Sequence, residues 1–369
     1  MTKQPDTVER TPAWTWAAPV GASLLLLVMT FGRLNATGAP VLVLAAVFLT
    51  LSVFAAVHHA EVLALRVGEP YGSILLAVAV TVIETALIVS LMLSASANSG
   101  TFARDTVYAA VMIVLNGVVG LCLILGGARH HEQSFQTQGA AAALGVLCTL
   151  ATITLILPSH TIAAPGPLFS RSQLVFVGTV SLCLYGVFIF VQTVRHRDYF
   201  LPADAAIEDP DTHHARPTLQ ATQASLLLLC MALVAVVLLA KSLSYPLKLA
   251  IVAAGLPATF VGVVIAAIVL LPEALAALAA ARANRLQTSL NLALGSAIAS
   301  IGLTIPTVAA MSIVLGQPLT LGISGADTVL LALTMFISAV SLATGRTTVL
   351  QGAVHLVIFG VFLFLAAVP

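Results

Sequence analysis

Phe260-Val261-Gly262-Val263-Val264-Ile265-Ala266-Ala267-Ile268-Val269-Leu270-Leu271-Pro272-Glu273-Ala274-Leu275-Ala276-Ala277-Leu278 decides the fold, and Glu273 is its one ionisable side chain. The run has no period-2 alternation and is too long for a strand, so it reads as a helix that is apolar all round. It has the length that a hydrocarbon core of about 30 Å requires of a helix, about 20 residues. A second stretch of the same kind surrounds Glu84, from Leu75 to Val89. Both are membrane spans carrying a single buried acid.

Composition extends that reading to the whole chain. Of 369 residues, 60% are hydrophobic and 8% are charged, against about 25% charged in an average soluble domain. Mean hydropathy is +1.08. A soluble globule cannot hide that much apolar surface. Disorder, a coiled coil, a secreted disulfide scaffold and nucleic-acid binding are excluded, the last because a net charge of +1 leaves no basic surface for phosphates. Cys122, Cys148, Cys183 and Cys230 each stand alone in apolar runs and read as small buried hydrophobes. Asn35-Ala36-Thr37 matches a glycosylation sequon without a mechanism to go with it. The first apolar run is too long for a signal-peptide core and reads as a retained span.

Long apolar runs without alternation predict an all-α polytopic membrane protein rather than a barrel. The expected spans are eleven: 14–32, 39–60, 70–94, 106–126, 139–157, 172–194, 221–241, 246–275, 286–312, 325–344 and 348–367. The eighth is expected to continue as a short amphipathic stretch to Arg285. Lys and Arg fall mainly in the loops of one side, including Arg66, Arg129, Arg282 and Arg346, with Arg104, Arg171, Lys241 and Lys248 on the other. The positive-inside bias then places the N-terminus in the cytoplasm and the C-terminus outside, and the composition with a charge-poor C-terminus fits a bacterial inner membrane.

The segment 195–220, with Asp198, Asp204, Glu208, Asp209, Asp211, His213 and His214, reads as a solvated cytoplasmic linker. It divides the chain into an N-terminal tail and accessory span (1–38), a first five-span repeat (39–194) and a second (221–369). An odd number of spans per repeat makes the halves inverted, the plan of many secondary transporters. Gly72 and Glu84 in the third span match Gly262 and Glu273 in the eighth. The next spans carry small and polar faces, Asn116, Gly117 and Gly120 in one, Asn291, Gly295, Ser296, Ser300 and Thr304 in the other.

Chemistry concentrates on the two acids. A carboxylate at the bilayer centre costs about 2.5–3.5 kcal/mol on the insertion scale, so it is a functional residue by default. The structural alternative is a protonated Glu in a helix–helix hydrogen bond. Two opposed carboxylates suit a cation, and a hard cation needs more oxygens than two acids supply. Thr81, Thr85, Asn116 and Ser296 offer side-chain oxygens, and Pro272 frees a backbone carbonyl beside Glu273. Helix packing and back-bonding are the alternative for the hydroxyl residues. The same pair suits protons, because like charges repel in a low dielectric. A site that takes a cation or protons, never both, is the core of an exchanger.

These residues carry a resemblance. Ala60-Glu61-Val62-Leu63-Ala64-Leu65-Arg66-Val67-Gly68, then Tyr71-Gly72 and Thr81-Val82-Ile83-Glu84, resembles the first repeat of the calcium/cation antiporter superfamily. Gly255-Leu256-Pro257-Ala258-Thr259-Phe260-Val261-Gly262, Leu271-Pro272-Glu273 and Leu290-Asn291-Leu292-Ala293-Leu294-Gly295-Ser296 are similar to the second repeat of cation/proton exchangers, in the bacterial ChaA-type branch. The resemblance covers most of 39–369. It implies a secondary cation/proton antiporter working by alternating access, first for calcium export, alternatively for sodium or potassium. It makes Glu84 and Glu273 the cation and metal ligands. Typical calcium/proton exchangers carry Gly-Asn before each key Glu, where this chain has Val80-Thr81 and Leu270-Leu271. The resemblance therefore leaves the cation open. The implied partners are the bilayer, inorganic cations and protons, with no cofactor, nucleic acid or nucleotide.

His58, His59 and Glu61, and separately His355, are candidate proton relays, since His titrates near neutral pH. An interfacial helix end and a satisfied buried histidine are the alternatives. Asp327 reads as a helix N-cap acid. Gly322-Ile323-Ser324-Gly325 matches a GxSG pattern, so a distant alternative is an intramembrane serine protease using Ser324 and His355.

Overall fold

The computed structural model describes residues 12–31, 38–68, 71–93, 99–201 and 217–369. The sequon at Asn35 and the acidic centre of the linker, Asp204 to His214, lie outside the described residues.

The protein is an all-α polytopic membrane protein. Its helices are α1 (Ala13–Phe31), α2 (Ala39–Val67), α3 (Tyr71–Leu93), α4 (Phe102–Met112), α5 (Val119–His130), α6 (Thr137–Ala151), α7 (Arg171–Phe190), α8 (Leu219–Ala253), α9 (Phe260–Arg282), α10 (Leu286–Leu315), α11 (Gly325–Leu342) and α12 (Val349–Ala367). A π segment, Ile113–Val118, joins α4 to α5 in one continuous rod. Among the described residues ten rods are long and apolar enough to cross a membrane, and α3 adds a shorter apolar core at Val78–Ser90.

The sequence misplaces one break. Spans seven and eight were expected to part near 241–246, but α8 runs unbroken to Ala253 with Pro246 inside it. Proline removes one helical hydrogen bond without ending a helix whose neighbouring turns are satisfied. The stop comes at Gly255, with φ +78°. There Leu256 N–H reaches back to the Ile251 carbonyl at 3.0 Å, a glycine-capped end followed by Pro257. Lys241 and Lys248 therefore lie on α8 and not in a loop. The stretch expected to trail to Arg285 is the end of α9. Asn284 takes φ +61°, and Arg285 N–H closes on the Ala280 carbonyl at 2.9 Å.

The chain forms two compact units, Met1–Ile83 with Ile207–Leu243, and Glu84–Ala206 with Ser244–Pro369. In the first, α1 packs on α2. His59 is fully buried there, with Nε2 3.1 Å from the Thr15 carbonyl and Nδ1 3.3 Å from Ser225 Oγ.

In the second unit, α10 is central, packed on α6, α7 and α9, while α4 and α5 pack on α9, and α5 on α12. Turns interlock at both ends of α10. At one end Gln133 Nε2 donates to the Ala281 carbonyl (2.9 Å) and to Asn284 Oδ1 (3.0 Å), clamping the α5–α6 turn to the α9–α10 turn. At the other end Thr320 N–H donates to the Gly100 carbonyl at 3.1 Å, joining the α10–α11 turn to the start of α4. A two-stranded antiparallel pair, Gln133–Ser134 with Arg346–Thr347, links the α5–α6 and α11–α12 turns. A capping box of Ser170 and Gln173 starts α7, and Gln351 Oε1 accepts from Thr348 N–H at the start of α12.

The α5–α12 contact depends on two glycines. A Cβ on Gly352 would lie 2.7 Å from the Gly120 carbonyl oxygen, and one on Gly120 would lie 3.0 Å from His355 Cβ. Small residues let membrane helices approach until backbones touch. Gly352→Ala is predicted to destabilise the protein by about 1–3 kcal/mol through overpacking. Gly360→Ala, on the same helix with open space around it, is predicted to stay within about 0.5 kcal/mol of native. Thermal unfolding in detergent micelles compares the two.

Candidate cation site

Glu84 is 5% exposed, deep in the apolar α3 helix. Burying an acid there is tolerable only if a proton, a cation or a hydrogen-bond donor meets it. The Ser300 hydroxyl, on α10, donates to Glu84 Oε1. One residue on, Thr85 Oγ1 lies 3.0 Å from Thr304 Oγ1. Ser300 and Thr304 are one turn apart, so α3 and α10 meet through two polar rungs. All four side chains are buried.

Glu273 lies on α9, beside α10. The residue is half-buried, and both carboxylate oxygens are shielded from solvent. Pro272 stands inside the helix, so the Ile268 carbonyl lacks its usual N–H donor. Thr81 is buried, and its three- and four-residue spacings from Glu84 and Thr85 put all three on one face of α3. Ser296 is half-buried on α10, one turn before Ser300. Among the described residues no three His, Cys, Asp or Glu side chains cluster as a metal site would need. A bound cation here would draw most of its oxygens from hydroxyls, amides and carbonyls.

Asn116 sits within the π segment and is fully buried. Its Nδ2 donates to Thr334 Oγ1 at 3.0 Å, and its Oδ1 lies 3.2 Å from His355 Nδ1. His355 Nε2 is 3.2 Å from Ser341 Oγ. The fold thus brings together Glu84 and Thr85 with α10, and Asn116 with His355. The His58 ring lies tilted to Trp14 and edge-on to His59 in the first unit, where Glu61 is exposed.

Ser324 does not meet His355 in a nucleophile–base pair. It caps α11, accepting from Asp327 N–H at 3.1 Å and donating to Asp327 Oδ2 at 2.7 Å. His355 is engaged elsewhere, so the protease alternative fails on geometry. Ser300 and Thr304 were not among the expected ligands. Their signal was present, since Ser296, Ser300 and Thr304 recur every four residues on one helix face, but spacing alone does not say which turn faces the acid.

Comparison with known proteins places the chain in a family. The sodium/calcium exchanger protein family matches residues 37–194 and 224–368. The chain belongs to that family. It is 36% identical to the sodium-potassium/proton antiporter of Escherichia coli over 87% of each chain. It is 55% identical, over 97% of each, to a protein of Sinorhizobium fredii named as an ionic transporter. The structure of the H+/Ca2+ exchanger CAX shares the fold, with a TM-score of 0.68 over 95% of this chain and 88% of that one, at 16% identity. The protein is a cation/proton antiporter, a transporter and not an enzyme.

Ser300→Ala removes the hydroxyl that donates to Glu84. A hydrogen bond to a charged group contributes about 1.5–3 kcal/mol. Ser300→Ala is therefore predicted to shift the half-saturating cation concentration about tenfold or more, and Ser300→Thr to restore it. Cation-driven pH change in proteoliposomes measures both.

Proposed function

We propose that Glu84 and Glu273 form the shared site at which this family member exchanges a cation for protons, with Ser300, Thr85, Asn116, Ser296 and Thr81 as oxygen donors around them. The observation that carries this reading is Glu84 itself, a buried acid whose hydrogen bond comes from a neutral hydroxyl. Such a group is stable when protonated or beside a cation, and costly when bare. Occupancy by one therefore excludes the other. The reciprocal clamps at the two ends of α10 support the two-repeat reading, 39–194 and 221–369 with 195–220 as linker, and alternating access to the site.

Sodium or potassium is the favoured cation. The positions that carry Gly-Asn in typical calcium/proton exchangers are Val80-Thr81 and Leu270-Leu271 here, which removes two amide oxygens. The E. coli relative is named for sodium, potassium and protons. Calcium is the second reading, because two carboxylates match its charge and backbone oxygens can complete its six to eight ligands. With the N-terminus inside, as the Lys and Arg bias favours, the cation leaves a bacterial cytoplasm as protons enter.

Glu84→Gln and Glu273→Gln are each predicted to abolish exchange, a loss of at least about 100-fold, while the protein still inserts and elutes as a folded species. Reconstituted protein with an internal pH dye, challenged in turn with sodium, potassium and calcium, tests this. Full exchange by either variant removes that acid from the site. A response to calcium alone makes the second reading the correct one.

A further inference from the structure

The cluster around His355 is fully enclosed, and of its members the exchange step just described uses Asn116 alone. We infer that His355 is a positioning residue for Asn116: its Nδ1–H holds the Asn116 side-chain oxygen, fixing which way the amide on the π segment faces and so setting the affinity of the cation site. This rests on the Glu84–Glu273 reading of that site.

The hydrogen-bond directions settle one another. Thr334 Oγ1 donates to the Leu330 carbonyl at 2.9 Å, so it receives the Asn116 Nδ2–H at 3.0 Å. The Asn116 oxygen then faces His355 Nδ1, which must donate. A neutral ring with its proton on Nδ1 leaves Nε2 to accept from Ser341 Oγ–H. Turning the amide over would set its N–H groups against the ring N–H and leave Thr334 to give up Leu330. One orientation is locked.

The lock bears on the site because of where the π segment lies. It packs against α9 and α10, the helices of Glu273 and Ser300. An amide offers a cation either one oxygen or two repelling N–H groups, and His355 decides which groups remain free. The Gly120–Gly352 contact puts the ring in place. A π turn widens the helix and is frequent at functional sites.

The two ring nitrogens can be mimicked separately. His355→Asn places an amide N–H where Nδ1–H lies, and His355→Gln places one where Nε2 lies. Half-saturating cation concentration and maximal rate are measured in proteoliposomes for the native protein, both variants, His355→Ala, Asn116→Ala and the double variant. His355→Asn is expected within about twofold of native in both parameters. His355→Ala and His355→Gln are expected to raise half-saturation about tenfold at nearly unchanged maximal rate. The double variant is expected to be no worse than Asn116→Ala, the signature of coupled partners. Equal behaviour of the Asn and Gln variants, additive losses, or a fall in rate at constant half-saturation would each overturn the inference. Thr334→Val, which removes the acceptor on the far side of the amide, is expected to shift half-saturation in the same direction, and an unchanged value would count against it. Native exchange that survives Glu84→Gln would break the site reading, and this inference with it.

Discussion

A carboxylate held inside hydrocarbon is the constraint to which the rest of the structure answers. Glu84 is 5% exposed on a helix with no other ionisable side chain between Tyr71 and Leu93. One serine hydroxyl does not neutralise a charge; it orients it. A proton or a cation must supply the missing positive charge. Glu273 is the one acid of α9, and its helix is locally opened by Pro272. Exchange follows from electrostatics, since a group that must be neutralised and has two neutralising partners couples their movements.

The scaffold serves that constraint by fixing polar side chains within an apolar bundle. α10 presents Ser300 and Thr304 one turn apart to Glu84 and Thr85. The π segment turns Asn116 into the bundle, where Thr334 and His355 hold both ends of its amide. Glycine-mediated approach of α12 to α5 brings His355 within reach. Clamps through Gln133 and through Gly100–Thr320 tie the ends of these helices together.

Most of this architecture was legible in the sequence, because a span is a long-range average. Runs such as 260–278 exceed any strand and leave no room for a soluble reading. The two acids stood out for the same reason, being single charges against an apolar background. What failed was local. A break was expected between 241 and 246, but α8 continues through Pro246, because in a membrane span a proline loses one hydrogen bond and the helix goes on, while the real stop needed the positive φ of Gly255. Ser296 and Ser300 lie on one face of α10, and which turn meets Glu84 is set by the axial offset between helices, which spacing does not carry. His355 and Asn116 are 239 residues apart, and a lone histidine in an apolar run gives no sign of its partner. Ser324 is the converse case: a four-residue pattern suggested chemistry, and its neighbour Asp327 already explained it as a cap.

The central claim, that one site holds either cation or protons, is tested most directly by counting protons released when cation binds. Purified protein in weakly buffered detergent is titrated with sodium, potassium or calcium while a pH dye records release and a radioactive isotope of the same ion records binding. Competition at the Glu84–Glu273 site predicts that each bound cation expels about one or two protons, and that Glu84→Gln loses binding and release together. Cation binding at native affinity without proton release, or release unchanged in Glu84→Gln, would contradict a shared site.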